Sequence, residues 1–120
     1  MKENKLADLS LDFSVRIIEL VKELRSKHET VISNQIGRSG TSIGANIHEG
    51  SYAQGRKDFI SKYEIALKEA SETGYWIELL RRTGYIDEQT YKSLKDQCAT
   101  IRVLLIASCR TAKQNDNTGV

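Results

Sequence analysis

Apolar residues recur every three or four positions through most of the chain, and this spacing predicts four amphipathic helices joined by short turns. The predicted helices span residues 7–28, 30–52, 57–83 and 87–113. The predicted buried rows, in helix order, are Leu9, Phe13, Ile17, Leu20 and Leu24; Ile32, Ile36, Ile43 and Ile47; Phe59, Tyr63, Ala66, Ala70, Thr73 and Ile77; and Tyr91, Leu94, Cys98, Ile101, Leu105 and Cys109. Because short turns make successive helices antiparallel, the pattern predicts an all-α fold, an antiparallel up-down-up-down four-helix bundle.

The length of 120 residues fits one domain with one core, and the absence of proline leaves nothing to interrupt long helices. We expect the bundle domain to span residues 1–113. Residues 114–120 are polar and are predicted to form a disordered C-terminal tail. Gly84 is placed to end the third helix, and Asp87 is placed to cap the start of the fourth.

The second predicted helix carries glycines that a plain bundle helix would avoid. Gly37, Gly40 and Gly44 form a narrow row beside the isoleucines. A glycine inside a helix costs about 1 kcal/mol relative to alanine. Because the isoleucine spacing continues through this row, we expect the glycines to let another backbone come close. A flexible loop is the weaker interpretation.

The third predicted helix has more apolar surface than one core requires. Ile65, Trp76 and Leu79 lie within about 60° of each other, on the side away from the predicted buried row, and Tyr75 lies near them. The fourth helix adds Val103 and Ile106. Because Trp and Tyr are enriched at subunit interfaces, this surface predicts an oligomer. The alternative is a flat bundle in which the third helix is covered on both sides.

A row of polar residues follows one side of the second helix. It consists of Arg38, Ser42, Asn46 and Glu49, and Glu64 or Glu72 on the third helix is available to pair with Arg38. We interpret Arg38, Ser42, Asn46, Glu49 and Glu72 as a polar network that sets the register of the helices. A surface for a ligand or a nucleic acid is the alternative.

The net charge of +2 and the pI of about 8.5 do not by themselves indicate a nucleic-acid-binding protein. Basic residues gather at the ends of the predicted helices, and most of these clustered residues lie at C-terminal ends, where the helix dipole favours them. Arg56 and Lys57 instead open the third helix, so they are better candidates for phosphate contact. The candidate nucleic-acid contacts are Arg38, Arg56, Lys57, Arg81 and Arg82. In a ring, each cluster of basic residues would be present once per subunit, so a nucleic acid could contact several clusters at the same time.

Motifs for catalysis or metal binding are missing from the sequence. The Glu-x-x-His motif of bundle metal sites is absent, because Arg25 and Ala45 stand three residues before the two histidines, His28 and His48. There is no phosphate-binding loop and no dinucleotide-binding glycine motif. We therefore expect no enzymatic activity, no metal and no cofactor.

Other simple features complete this picture. Cys98 and Cys109 are expected to be small buried residues that do not pair, because one helix separates them by roughly 16 Å. No apolar run is long enough to cross a membrane, and the N-terminus lacks the pattern of a signal peptide. The expected location is the cytoplasm.

Residues 39–50 read Ser-Gly-Thr-Ser-Ile-Gly-Ala-Asn-Ile-His-Glu-Gly. Together with Asp58-Phe59 and residues 66–76, Ala-Leu-Lys-Glu-Ala-Ser-Glu-Thr-Gly-Tyr-Trp, they closely resemble a family of bacterial four-helix bundles. This is the family of proteins encoded by 23S rRNA intervening sequences, also called S23 ribosomal proteins. The accessory proteins of diversity-generating retroelements are similar. The resemblance covers nearly the whole chain, and His48 departs from it, because the family pattern usually has Ala there.

The resemblance implies a four-helix protomer that assembles into a barrel-like homopentamer. It also implies nucleic-acid binding and, from the retroelement relatives, association with a reverse transcriptase. The leading interpretation is a non-enzymatic, ring-forming bundle protein that binds RNA, DNA or a nucleic-acid-processing partner such as a reverse transcriptase. The alternative is an oligomeric scaffold without nucleic-acid binding.

Overall fold

The structure, a computed structural model, describes residues 4–118, with side-chain surroundings described over residues 5–115. Its helices are α1 (Asn4–Ser26), α2 (Val31–Gly50), α3 (Arg56–Arg82) and α4 (Glu88–Thr118), and the described residues include no strand. Each helix packs extensively against the next along the chain, whereas α4 packs only lightly against α1. The predicted all-α four-helix bundle is confirmed.

Contacts between neighbouring helices show that they run in opposite directions. Arg38 in the first half of α2 reaches Glu72 in the second half of α3, and Glu49 at the end of α2 pairs with Lys62 near the start of α3. The same reversal relates α3 to α4, in which Lys113 pairs with Glu64 and Tyr91 bonds to Glu78. Gly37 and Gly44 of α2 face Val21 and Ser10 of α1, so these two helices are also antiparallel. The up-down-up-down order follows from these contacts.

The core consists largely of the apolar rows predicted from the sequence. The fully enclosed side chains include Phe13, Ile36 and Ile101. Leu9, Phe59 and Tyr91 belong to the predicted rows but are only partly buried at the edge of the core. Leu80 near the end of α3 and Ile86 in the following turn are also buried in the core.

A buried carboxylate joins α1 to α2. After α1 ends, His28 adopts a positive φ of 66°, which turns the chain toward α2. Glu29 then accepts backbone N–H bonds at 2.8 Å from both Ile32 and Ser33. The Ser33 hydroxyl donates in return to the Glu29 carbonyl oxygen at 2.9 Å. Glu29 therefore satisfies N–H groups that the first turn of α2 would otherwise leave unpaired.

The connection from α3 to α4 has the caps predicted for it. Gly84 has a φ of 82°, a value that favours glycine, and the Tyr85 N–H donates to the Leu80 carbonyl oxygen at 3.0 Å. Asp87 Oδ1 accepts the Thr90 N–H at 2.8 Å, and this bond lowers the pKa of Asp87 below its usual value. Both predicted ends are confirmed.

The end of α4 differs from the prediction. The helix continues through Thr118, so residues 114–118 are helical where a disordered tail was expected. Residues 119–120 lie outside the described residues. The Lys113–Glu64 pair, at 2.6 Å, holds the preceding turn against α3. No proline or glycine follows before residue 119, so an established helix can propagate through this polar segment.

The glycines of α2 permit a close approach to α1, as predicted. A Cβ added at Gly40 would lie 2.9 Å from Ile17 Cγ1. At Gly44 an added Cβ would lie 3.3 Å from the carbonyl oxygen of Ser10. Because that atom belongs to the α1 backbone, a side chain at residue 44 would press the two helices apart.

Candidate functional site

A charged cluster links the middle of α2 to α3. The Arg38 guanidinium lies 3.2 Å from Glu69 Oε1 and also donates to Glu72 Oε2. Glu72 Oε2 accepts a second bond, at 3.0 Å, from the Trp76 indole N–H. We call Arg38, Glu69, Glu72 and Trp76 the Arg38 cluster. It joins a residue of the predicted polar network to a residue of the predicted oligomer interface.

The other members of the predicted network lie apart from this cluster. Asn46 donates to the backbone carbonyl oxygen of Ser42 at 2.8 Å, so this bond stays within α2. Glu49 pairs with Lys62 at 2.9 Å. The row extends over about 16 Å of helix, so its members meet different partners. Arg38 thus pairs with Glu72, Asn46 bonds to Ser42, and Glu49 bonds outside the set, so the five residues form three separate contacts.

Sequence reasoning missed the buried polar contact between α2 and α3. Ser39 and Thr73 are fully enclosed, and their hydroxyl groups share a hydrogen bond at 2.9 Å. Thr73 Oγ1 also lies 2.8 Å from the Glu69 carbonyl oxygen. The helical pattern placed Thr73 in the buried row, but a single sequence could not show which residue faces it.

The predicted interface residues of α3 differ in exposure. Ile65 and Tyr75 are 40% and 62% exposed, whereas Trp76 and Leu79 are partly buried and pack against the core. At 100° per residue, Ile65, Trp76 and Leu79 share the side of α3 that carries Glu72. We call these three residues and Tyr75, whose ring packs edge-on against Trp76 with centroids 4.9 Å apart, the α3 patch. The patch lies on the α2 side of α3, and α2 covers part of it.

An exposed apolar row on α1 was also missed. Leu11, Val15 and Ile18 are 65%, 52% and 44% exposed. Their spacing of four and three residues places them on one side of the helix. We call them the α1 row. The spacing was visible in the sequence, but the stronger row that contains Phe13 and Ile17 accounted for the amphipathic character of α1.

Arg81 and Arg82, two of the candidate nucleic-acid contacts, belong to a second charged cluster at the end of α3. Glu78 Oε2 accepts bonds at 2.8 Å from both Arg81 and Arg82, and the Tyr91 hydroxyl donates to Glu78 Oε1 at 2.7 Å. The hydrogen bonds from Arg82, Tyr91 and Arg81 lower the pKa of Glu78 to about 2. Both guanidinium groups are thus engaged by a carboxylate in the described structure.

Arg56 and Lys57 lie at the opposite end of α3. Both are exposed and form its first turn, directly after Gly55. About 39 Å of helix separates Arg56 from Arg82. With Arg38 in the middle of α2, the five candidate contacts occupy three separate places.

Cys98, Cys109 and His48 lie in different surroundings. Cys98 and Cys109 are free and buried, as predicted, and burial raises the pKa of the Cys98 thiol to about 11. His48 is exposed, and its ring packs edge-on against Tyr52 with centroids 5.4 Å apart. Within the described residues, no three His, Cys, Asp or Glu side chains are placed to hold a metal ion.

No helix of the described chain has the length and apolar character needed to cross a membrane.

Comparison with known proteins decides the family. The sequence model of the 23S rRNA-intervening sequence proteins matches residues 2–107. The chain belongs to this family. This confirms the resemblance seen around residues 39–76. No functionally curated protein matches the chain.

A solved structure extends this result to the fold of the 23S rRNA-intervening sequence protein family. It is the crystal structure of a protein of unknown function from the S23 ribosomal protein family of Bacteroides thetaiotaomicron. The two sequences are 53% identical, and the structures superpose with a TM-score of 0.85. The match covers 87% of this chain and 97% of the other. Both chains thus share the same helical fold.

Proposed function

We propose that this member of the 23S rRNA-intervening sequence protein family is a non-enzymatic, self-associating bundle protein that binds RNA or DNA. The observation that carries the nucleic-acid part is the exposed pair of Arg56 and Lys57 in the first turn of α3. A cation there opposes the helix dipole, so helix stability does not explain the pair. Contact with phosphate does explain it.

Three other candidates lie away from the start of α3. Arg38, Arg81 and Arg82 pair with carboxylates of α3, so phosphate contact would have to compete with these bonds. We assign their main role to holding α3 against its neighbours.

Self-association is supported by two exposed apolar surfaces on different sides of the bundle. The α1 row and the α3 patch lie on helices that do not pack against each other within the described residues. Each surface has exposed apolar side chains, Leu11 and Val15 in the α1 row and Ile65 and Tyr75 in the α3 patch. A second copy of the chain therefore offers a surface of matching apolar character. Contact between unlike surfaces is head-to-tail, and it yields a ring when the rotation closes. The family resemblance suggests five subunits.

A scaffold without nucleic-acid binding is the second candidate. It is favoured by the pairing of three arginines with carboxylates and by the small net charge of +2. Under this alternative the apolar surfaces would hold copies of the chain together in an assembly that binds no nucleic acid.

Direct binding separates the two candidates. We expect a fluorescently labelled single-stranded RNA or a DNA duplex to bind the full chain at low salt, measured by anisotropy. Since counterion release drives such binding, log affinity for the single strand is expected to fall with log salt by about 0.7 per phosphate contact. The Arg56→Glu/Lys57→Glu variant is expected to bind more weakly than wild type. Its control is Lys22→Glu/Lys27→Glu, which changes the charge equally at two exposed positions, one in α1 and one in the turn directly after it. Absence of binding by wild type at low salt would favour the scaffold.

A further inference from the structure

A groove follows the outer junction of α3 and α4. Its volume is about 280 Å³. Ser71 and Gly74 line it from α3, and Lys95, Ala99 and Arg102 line it from α4. A Cβ added at Gly74 would meet no atom within 4 Å, so this side of the groove is open. The small residues leave room for a ligand between the two helices.

The groove has a surplus of positive charge. Within the part of the chain that the structure describes, neither Lys95 nor Arg102 pairs with a carboxylate. Asp96, which follows Lys95, pairs with Lys92 at 3.2 Å. Glu78 is the carboxylate that lines the groove, and two guanidinium groups already bind it. The charges of Lys95 and Arg102 are therefore left without local compensation.

The two cations form a row along the groove. They are seven residues apart, so they lie on the same side of α4 at a separation of about 10.5 Å along its axis. The Lys95 ammonium lies 5.5 Å from the centroid of the Tyr91 ring, a cation–π contact that holds it beside the groove.

The row extends toward the end of α4. There Arg110 lines a second volume of about 350 Å³ between the same helices, beside Leu67 and Ile106. Among the described residues Arg110 also lacks a carboxylate partner. Lys95, Arg102 and Arg110 thus span about 22 Å of one helix.

We infer that the α3–α4 groove binds the phosphodiester backbone of a single-stranded nucleic acid, with Lys95 and Arg102 as its central contacts. A single row of cations matches one strand, whereas a duplex presents two rows of phosphates. This inference rests on the proposed nucleic-acid binding, but it locates the strand on α4, at positions that sequence reasoning did not select. Binding of this kind requires no contact with the base edges, because phosphate contacts are independent of the nucleotide sequence.

The test compares Lys95→Glu/Arg102→Glu with the Lys22→Glu/Lys27→Glu control, using a labelled single-stranded RNA and a salt series. Both variants change the net charge equally, and all four positions are exposed, so both are expected to fold. We expect the groove variant to lose affinity by on the order of tenfold, and the neutral Lys95→Gln/Arg102→Gln variant to lower the log–log salt slope by about 1.4, which is two phosphate contacts. The control is expected to stay within about twofold of wild type.

Two competitors identify the source of the recognised phosphate. Unlabelled RNA is expected to displace the probe, whereas inorganic phosphate at the same phosphate concentration is not. Equal displacement by inorganic phosphate would assign the groove to a free anion, and equal displacement by polyglutamate would assign it to an acidic protein. Each of these results would overturn the inference.

The inference and the proposed function fail in different ways. If wild type binds RNA and the groove variant matches the control, the strand lies elsewhere and only the inference fails. If wild type binds no nucleic acid at low salt, both fail.

Discussion

The carboxylate of Glu29 accepts hydrogen bonds from two backbone N–H groups at the start of α2. The side chain is buried, with only 7% of the residue exposed. The position was missed in the sequence because Ser, Thr, Asp and Asn are the usual capping residues. A Glu can replace them only when the preceding turn directs it back toward the helix, and the positive φ of His28 provides that turn.

We predict that Glu29→Ala lowers the free energy of unfolding by about 1–3 kcal/mol, because two buried N–H groups lose their acceptor. The measurement is urea unfolding followed by helical circular dichroism. Glu23→Ala is the control, since its exposed pair with Lys27, at 3.3 Å, is expected to be worth less than about 0.5 kcal/mol. Equal effects of the two substitutions would contradict the capping role.

Glu78 makes stability depend on pH. Its pKa is lowered from 4.5 to about 2 in the folded protein. A carboxylate with a lowered pKa stabilises the fold above its unfolded pKa, and this contribution is lost as the pH falls toward the folded pKa. We predict that, as the pH falls from about 5 to about 2, the free energy of unfolding decreases less for Glu78→Gln than for wild type, as measured by urea unfolding at each pH. Parallel stability curves for the two proteins would show that the Arg81–Arg82–Tyr91 contacts do not act on Glu78 in this way.

At the scale of helices, two glycines in similar local structure are expected to respond in opposite ways. An alanine Cβ at Gly40 would lie 2.9 Å from the enclosed side chain of Ile17, whereas at Gly74 it would meet nothing within 4 Å. We predict that Gly40→Ala destabilises the protein by about 1–2 kcal/mol, because overpacking exceeds the gain in helix propensity. Gly74→Ala is expected to stabilise it by about 0.5–1 kcal/mol. Thermal unfolding of both variants tests the pair, and a stabilised Gly40→Ala protein would refute the close approach of α1 and α2.

The helices and their buried rows could be predicted because they depend on local spacing. The same holds for the caps at Gly84 and Asp87, where the residue type matches one backbone role. The end of α4 could not be predicted, since the residues after Lys113 have weak helix propensity and depend on an anchored preceding turn.

Side-chain partners between helices were harder to predict than the helices themselves. The sequence indicated that Arg38 and Glu49 share a row, but not that Glu49 would meet Lys62. It also indicated that Trp76 lies off the buried row of α3, but not that its indole would bond to Glu72 and pack against the core. Such contacts depend on the rotation of one helix relative to another, which spacing within a single helix does not determine.

At the scale of the whole molecule, the α1 row provides a test of self-association. We predict that Leu11→Glu lowers the mass of the particle in light scattering, because a buried charge would destabilise the contact between copies. Val31→Glu is the control. Val31 is 72% exposed, but it is isolated at the start of α2, and the proposed contact does not include it.

The α3 patch is tested in the same way. Tyr75→Glu changes a residue that is 62% exposed, so the fold is expected to tolerate it. If the α1 row contacts the α3 patch of the next copy, both Leu11→Glu and Tyr75→Glu lower the mass. An unchanged mass in both variants would remove these surfaces from the assembly.

Sedimentation velocity of a labelled single-stranded RNA, with and without the full chain, tests the central claim most directly. The account predicts that at low salt the RNA sediments with a protein particle whose mass is a multiple of 13.5 kDa, and that added salt releases it. RNA that sediments alone at every salt concentration, beside a 13.5 kDa protein, would contradict both nucleic-acid binding and self-association.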